Sequence, residues 1–252
     1  MDMSIFFLLL AGILYYTNCF ERKKKKSKTK EFTEKLINSR ILFITNEWDN
    51  DELDGYLVDI DNEMTFINQY KKYDIKEEID IIIDSHGGKI SSSDAIMNIL
   101  LMHEGIINIY VPIKAYSAGS MLALCADNLY LNHYSLLSPT DPQFEENDNN
   151  VPVKHYLKLI KNKSVHCCND DIIMKYYESQ MLYNDNISNL KRILEKNYEG
   201  SVKNKIIKNF GYGDHPHEKQ FNLDQLDELG LEYLTPIPKQ IQDIFDLYNE
   251  IN

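Results

Sequence analysis

The chain has 252 residues, with 27 Lys and Arg against 39 Asp and Glu, a net charge of −12 and 43% hydrophobic residues. That length supports one domain with a sizeable core once an N-terminal segment is set aside. Seven of the basic residues lie between Arg22 and Lys30, so the rest of the chain is strongly acidic and nucleic acid is excluded as a partner. The four cysteines, Cys19, Cys125, Cys167 and Cys168, fit a reducing compartment. The neighbours Cys167 and Cys168 follow His166 without the spaced ligands a metal site needs. No metal or other cofactor is expected.

Residues 3–20, MSIFFLLLAGILYYTNCF, carry no charge. Their length is near the low end for a spanning helix, which takes ~17–25 apolar residues. The start bears Asp2 and no basic residue, which disfavours a cleaved signal peptide. The expectation for 1–20 is therefore a single-pass transmembrane anchor, with a buried N-terminal helix as the other reading. The basic run follows the apolar segment directly, and positive residues stay on the cytoplasmic side. The domain is thus expected in the cytoplasm. Residues 21–35 read as a solvated basic juxtamembrane linker and 36–252 as the folded domain.

Along that domain the pattern predicts a strand at 41–46, an acidic region at 47–63 holding Trp48, and a helix at 64–72. A strand at 79–84 follows, built on Ile79, Ile81, Ile82 and Ile83. Then come a helix at 90–102, a strand at 107–113, a helix at 118–126 and a short strand at 128–132. The acidic run from Glu145 to Asn150 reads as a loop. From 169 to 198, Ile172, Ile173, Tyr176, Tyr177, Met181, Ile187, Leu190 and Leu194 keep mostly helical spacing, giving one long helix or two broken near Asn184. The class is α/β.

Two turns in this pattern carry chemistry. Gly87 and Gly88 follow the strand at 79–84, where paired glycines let the backbone turn sharply and approach a ligand. Ser117 stands at the next strand-to-helix junction, with the small residues Ala118 and Gly119 leaving its hydroxyl open. An exposed hydroxyl beside unpaired N–H groups is what a serine nucleophile needs, although small residues at a tight junction also serve packing alone. The two turns close a repeated βα unit at one sheet edge, where ligands of open α/β sheets gather.

The chain has SRILFITNE at 39–47, SHGG at 85–88, SAGS at 117–120, CAD at 125–127, SPTDPQ at 138–143, HEKQF at 217–221 and LGL at 229–231. In order and spacing these motifs resemble the superfamily of the Clp protease proteolytic subunit and signal peptide peptidase A. They resemble most closely its membrane-anchored branch, serine dehydrogenase proteinase, whose pattern runs Ser-Gly-Gly, Ala-Asp, Gly-Pro-x-Asp-Pro-Gln and a later His. The resemblance implies a Clp-protease/crotonase-like spiral of βα units and a serine peptidase acting on peptides or proteins, associated as a homo-oligomer. It also implies roles: Ser117 as nucleophile, Asp141 as the group orienting a histidine, His217 as general base, and the N–H groups of Gly88 and Ala118 as oxyanion donors.

The Clp subunit places its histidine about 25 residues after the serine, and that position falls in SPTDPQ, which has none. The serine dehydrogenase proteinase order of Ser, Asp, His fits instead. His215 is the rival to His217, which lies 13 residues before Gly230 as in the family pattern. Four departures or options stay open. Ala118 stands where the family has Gly, and His86 where relatives often carry Pro. Asp141 in an Asp-Pro turn also suits a structural role. A Ser–Lys dyad would draw on Lys163 or Lys175. The rival functions are a non-catalytic scaffold of the same fold and an acyl-CoA enzyme of the crotonase kind. No G-x-G-x-x-G follows a strand, so a nicotinamide site is not indicated.

Overall fold

The computed structural model describes residues 23–252 except 47, 49–52, 54, 147, 148 and 164. The apolar segment at 3–20, expected to span a membrane, lies outside the described residues. Among the described residues no helix is long and apolar enough to cross a membrane.

A helix α1 at 23–39 leads into β1 (Ile41–Thr45). Then follow β2 (Leu57–Asp59), α2 (Glu63–Tyr70), β3 (Ile79–Asp84), α3 (Ile90–Met102), β4 (Ile107–Val111), β5 (Lys114–Ala115), α4 (Ala118–Ala123), β6 (Asn128–Leu131) and β7 (Leu136–Leu137). The remainder comprises β8 (Gln143–Glu146), β9 (Asn149–Pro152), α5 (Val153–Lys163), α6 (Asp170–Leu194), α7 (Gly200–Gly211), α8 (Leu223–Leu229) and α9 (Lys239–Ile251). The main sheet has the order β2-β1-β3-β4-β6 and every pair in it is parallel. This is the mixed α/β architecture expected, with β5 and β7 forming a second, small parallel pair beside it.

The strand sequences explain the layering. Parallel strands covered on both faces read as continuous apolar runs rather than alternating ones. Ile81 and Ile83 of β3 point into one core, with Ile96 and Met97 of α3 and Leu190 of α6. Ile82 points into the other, with Phe43 of β1, Phe32 of α1 and Phe245 and Tyr248 of α9. Each face of the sheet therefore has its own apolar layer, and the strands cannot shift register by one residue without exchanging them.

Three expectations change here, and one pair of alternatives is decided. The stretch read as a free linker at 21–35 is helical from 23, and Thr29, Phe32 and Leu36 are buried. Its lysines take the outer face while the apolar residues close the second core, so this stretch is part of the domain. The run Glu145–Asn150 is not a simple loop, because β8 and β9 pair antiparallel around it. The strand at 107–113 divides into β4 and β5 at Pro112, which has no N–H to give the ladder. The helix at 169–198 is one continuous element, α6, with no break at Asn184. Its start is capped by the Asn169 side chain, which accepts from Ile172 N, and Asp170 and Asp171 suit the positive end of the dipole.

Candidate active site

The C-terminal ends of β3 and β5 meet where Ser85 and Ala115 bridge, and the two turns converge there. Ser85 N donates to Lys114 O at 3.1 Å, and Tyr116 N donates to Ser85 O at 3.0 Å. Directly after this bridge the chain reverses into α4, and Ser117 carries the bend at φ 49°, ψ −116°. A non-glycine residue at positive φ stores about 1–3 kcal/mol of strain and persists only where the surroundings hold it. Such elbows lift a hydroxyl clear of the sheet. Ala118 is already the first residue of α4, so its methyl group lies in the core with helical backbone and the expected Gly is not required.

Tight packing under the elbow explains Gly87. Its φ is +106°, and a Cβ there would meet Ser117 Cβ at 2.8 Å and Tyr116 O at 3.0 Å. Asn46, at the end of β1, donates through Nδ2 to Gly87 O at 3.0 Å, and Gly87 N donates to Ser85 Oγ at 3.0 Å. Gly88 has a different constraint, since a Cβ there would sit 2.3 Å from Asp61 Oδ1. Among the described residues the N–H groups of Gly88 and Ala118 have no acceptor within the protein.

One short segment, 137–141, ties the remaining parts together. Leu137 exchanges two backbone hydrogen bonds with Phe221, at 3.2 and 2.7 Å, fixing the base of the loop that holds His217. Ser138 Oγ accepts from Ser117 N at 2.8 Å, and Ser138 N donates to Ser120 Oγ at 2.9 Å. Thr140 N donates to Phe210 O at 2.8 Å. Asp141 Oδ1 then accepts from His217 Nδ1 at 3.1 Å. The sequence-based reading did not single out Ser138; the signal was there, because SPTDPQ has Ser where the related motif has Gly.

The Asp141 carboxylate is 3% exposed, and its Oδ2 has no hydrogen-bond partner among the described residues. An incompletely paired buried charge is costly, which makes it a strong attractor for positive charge beside it. His217 is the group placed to supply that charge. His215 is turned away, with Nε2 on Asn209 Oδ1 at 2.9 Å and its ring edge-on to Phe221. Lys175 lies against Asp171 and over the Tyr156 ring, and Lys163 is at the exposed end of α5, so neither approaches Ser117.

A model of the ClpP-like SDH-type serine proteinase family matches residues 2–251. The chain belongs to that family. It is also 24% identical over 172 residues to "Uncharacterized protein MJ0137" of Methanocaldococcus jannaschii, a match covering 68% of this chain and 59% of that protein. A second protein of the same organism, "Uncharacterized protein MJ1495", is 25% identical over 170 residues, covering 68% of this chain and 56% of its own length. The chain thus spans less than two thirds of the curated relatives it matches.

In this member of the SDH-type family, Ser117, Asp141 and His217 border one open cleft of about 640 Å³. Gly88 and Lys89 from the glycine turn border it too, as do His86 and, from the β8–β9 hairpin, Gln143, Glu145 and Asn150. His86 Nε2 lies 2.6 Å from Lys114 Nζ, and its ring lies 5.8 Å from that of Tyr116 between centroids. Among the described residues no group of three or more His, Cys, Asp or Glu could hold a metal ion.

Proposed function

We propose that this chain is a serine peptidase in which Ser117 is the nucleophile, His217 the general base and Asp141 the orienting carboxylate. The observation that carries the proposal is the His217–Asp141 hydrogen bond in the cleft that Ser117 also borders. With Nδ1 protonated toward Asp141, the Nε2 lone pair is the one left to take a proton from Ser117 Oγ. The unpaired Oδ2 of Asp141 favours the imidazolium that results. Attack on a peptide carbonyl places negative charge on its oxygen, and the N–H groups of Gly88 and Ala118 are the donors that would receive it. Each such donor is worth roughly 3–4 kcal/mol in the transition state. The imidazolium then protonates the leaving amine, an acyl-enzyme forms on Ser117, and water activated by His217 releases it.

The substrate is a peptide or protein segment in extended form, since the cleft is open along the glycine turn and the hairpin. Tethering to a membrane through 3–20, with the domain cytoplasmic, belongs to the same proposal, and alkaline extraction of membranes tests it. Self-association is also part of it; α6 presents Met174, Tyr177 and Met181 to solvent, and light scattering of the purified chain reads the result. The peptidase itself is tested with a quenched fluorescent peptide mixture. The wild type hydrolyses it and Ser117→Ala does not. A wild type with no hydrolysis and no covalent inhibitor adduct would favour a scaffold of the same fold.

A further inference from the structure

Beside the open cleft lies a second, narrower cavity, and it borders the nucleophile directly. Ser117, Ala118 and Gly88 form one end of its lining. In acyl transfer the side chain of the attacked residue starts two bonds from the carbonyl carbon. It must therefore enter space that touches both the nucleophile and the oxyanion donors. Ser117 and Gly88 border the open cleft as well, but only the narrow cavity also borders Ala118, and it runs back between α3 and α6.

The far lining has two chemistries. Met121 of α4 and Leu182 of α6 give apolar walls suited to methylene groups. Asp94 of α3 and Asp185 of α6 add two carboxylates, and no Lys, Arg or His is among the lining residues. Asp94 is held there by Asn189, whose Nδ2 donates to Asp94 Oδ1 at 3.1 Å. Burial, then the field of Asp185, pushes Asp94 above the usual carboxylate range, while Arg192 and the Asn189 amide pull it the other way. Arg192 does not border the cavity; its guanidinium is engaged by Asn98 Oδ1 at 2.9 Å and Asn189 Oδ1 at 3.4 Å.

We propose that this cavity receives the side chain on the acyl side of the scissile bond and selects lysine or arginine there. The cavity fixes where the side chain goes, and the two carboxylates fix its charge. A long basic residue lays its apolar stem along Met121 and Leu182 and brings its cation to Asp94 and Asp185, a mixed environment such side chains favour. A carboxylate side chain is repelled, and a neutral one forms no ion pair with half-buried Asp94 or exposed Asp185. The inference rests on the peptidase reading of Ser117.

The test is a set of fluorogenic peptides that differ only in the residue before the coumarin amide: lysine, arginine, norleucine or glutamate. With the full chain, lysine and arginine are expected to exceed norleucine in kcat/KM by roughly ten- to a hundred-fold, the range for a hydrogen bond to a charged group. Asp94→Asn and Asp185→Asn should each lower the lysine-to-norleucine ratio, and the pair should bring it near one. Equal rates for lysine and norleucine, or a ratio unmoved in both variants, would overturn the inference. A fluorophosphonate adduct on wild-type Ser117 separates the two failures. With the adduct and no basic preference, only the inference falls. Without adduct or hydrolysis, the peptidase reading falls with it.

Discussion

Gly87→Ala is the substitution for which the structure gives the sharpest expectation. Two costs add at that position. A φ of +106° is a conformation L side chains rarely adopt, worth about 1–3 kcal/mol. The new methyl would also stand 2.8 Å from Ser117 Cβ and 3.0 Å from Tyr116 O, and both belong to a tight turn that cannot retreat cheaply. Overpacking of that kind typically costs a further 1–3 kcal/mol, for a total of about 2–6 kcal/mol. For a domain of this size each kcal/mol moves the melting temperature by roughly 2–4 °C, so a drop of at least about 4 °C is expected. Relief of the clash must move the Ser117 elbow, so covalent labelling by a fluorophosphonate should slow more than the melting change explains. Gly55→Ala is the matched control, because Gly55 has φ +83° with nothing within 4 Å. It should lose stability and keep its labelling rate. If Gly87→Ala melts with the wild type and labels as fast, the account of the elbow is wrong.

Ser138→Ala removes the acceptor of the Ser117 N–H, and an unsatisfied buried donor costs about 1–3 kcal/mol. Labelling is expected to fall about ten-fold or more while far-ultraviolet circular dichroism is unchanged, with Ser138→Thr restoring much of the rate. His217→Ala should lose labelling by several orders of magnitude, as general-base removal does, whereas His215→Ala should affect melting only. The reverse pattern would assign the base to His215. Asp94 gives a pH prediction. Its pKa is raised in the folded state by burial and by Asp185, so its protonated form is the one folding favours. That stability is complete below the unfolded carboxylate pKa of about 4 and is lost as pH rises through the folded value. Asp94→Asn should therefore melt higher than the wild type at neutral pH, with the gain fading in acid. A gain that persists in acid would refute the assignment.

Much of this site is written in local sequence. The isoleucines of β3 and the Gly87-Gly88 pair mark a buried strand and a sharp turn, and Ser117 with its small neighbours marks the elbow, because both turns follow rules of adjacent residues. The position of His217 beside Asp141 is not local. It depends on the Leu137–Phe221 bridge, which joins residues far apart in the chain by backbone hydrogen bonds that any side chain permits. The hairpin of β8 and β9 escaped notice because QFEENDNNVP has no apolar alternation; its Phe144 packs edge-on to Tyr156. The lysine-rich start of α1 masked a helix whose buried stripe is only Thr29, Phe32 and Leu36. Ser138 left one mark, a Ser where the related motif has Gly, but its role depends on a hydrogen bond across 21 residues that local sequence does not display.

The most direct measurement of the central claim is the site of covalent capture. The full chain is treated with a fluorophosphonate, digested, and the modified peptide identified by mass spectrometry. The account predicts a single adduct on Ser117, absent from Ser117→Ala and strongly reduced in His217→Ala. An adduct on another residue, or labelling that survives Ser117→Ala, would contradict it.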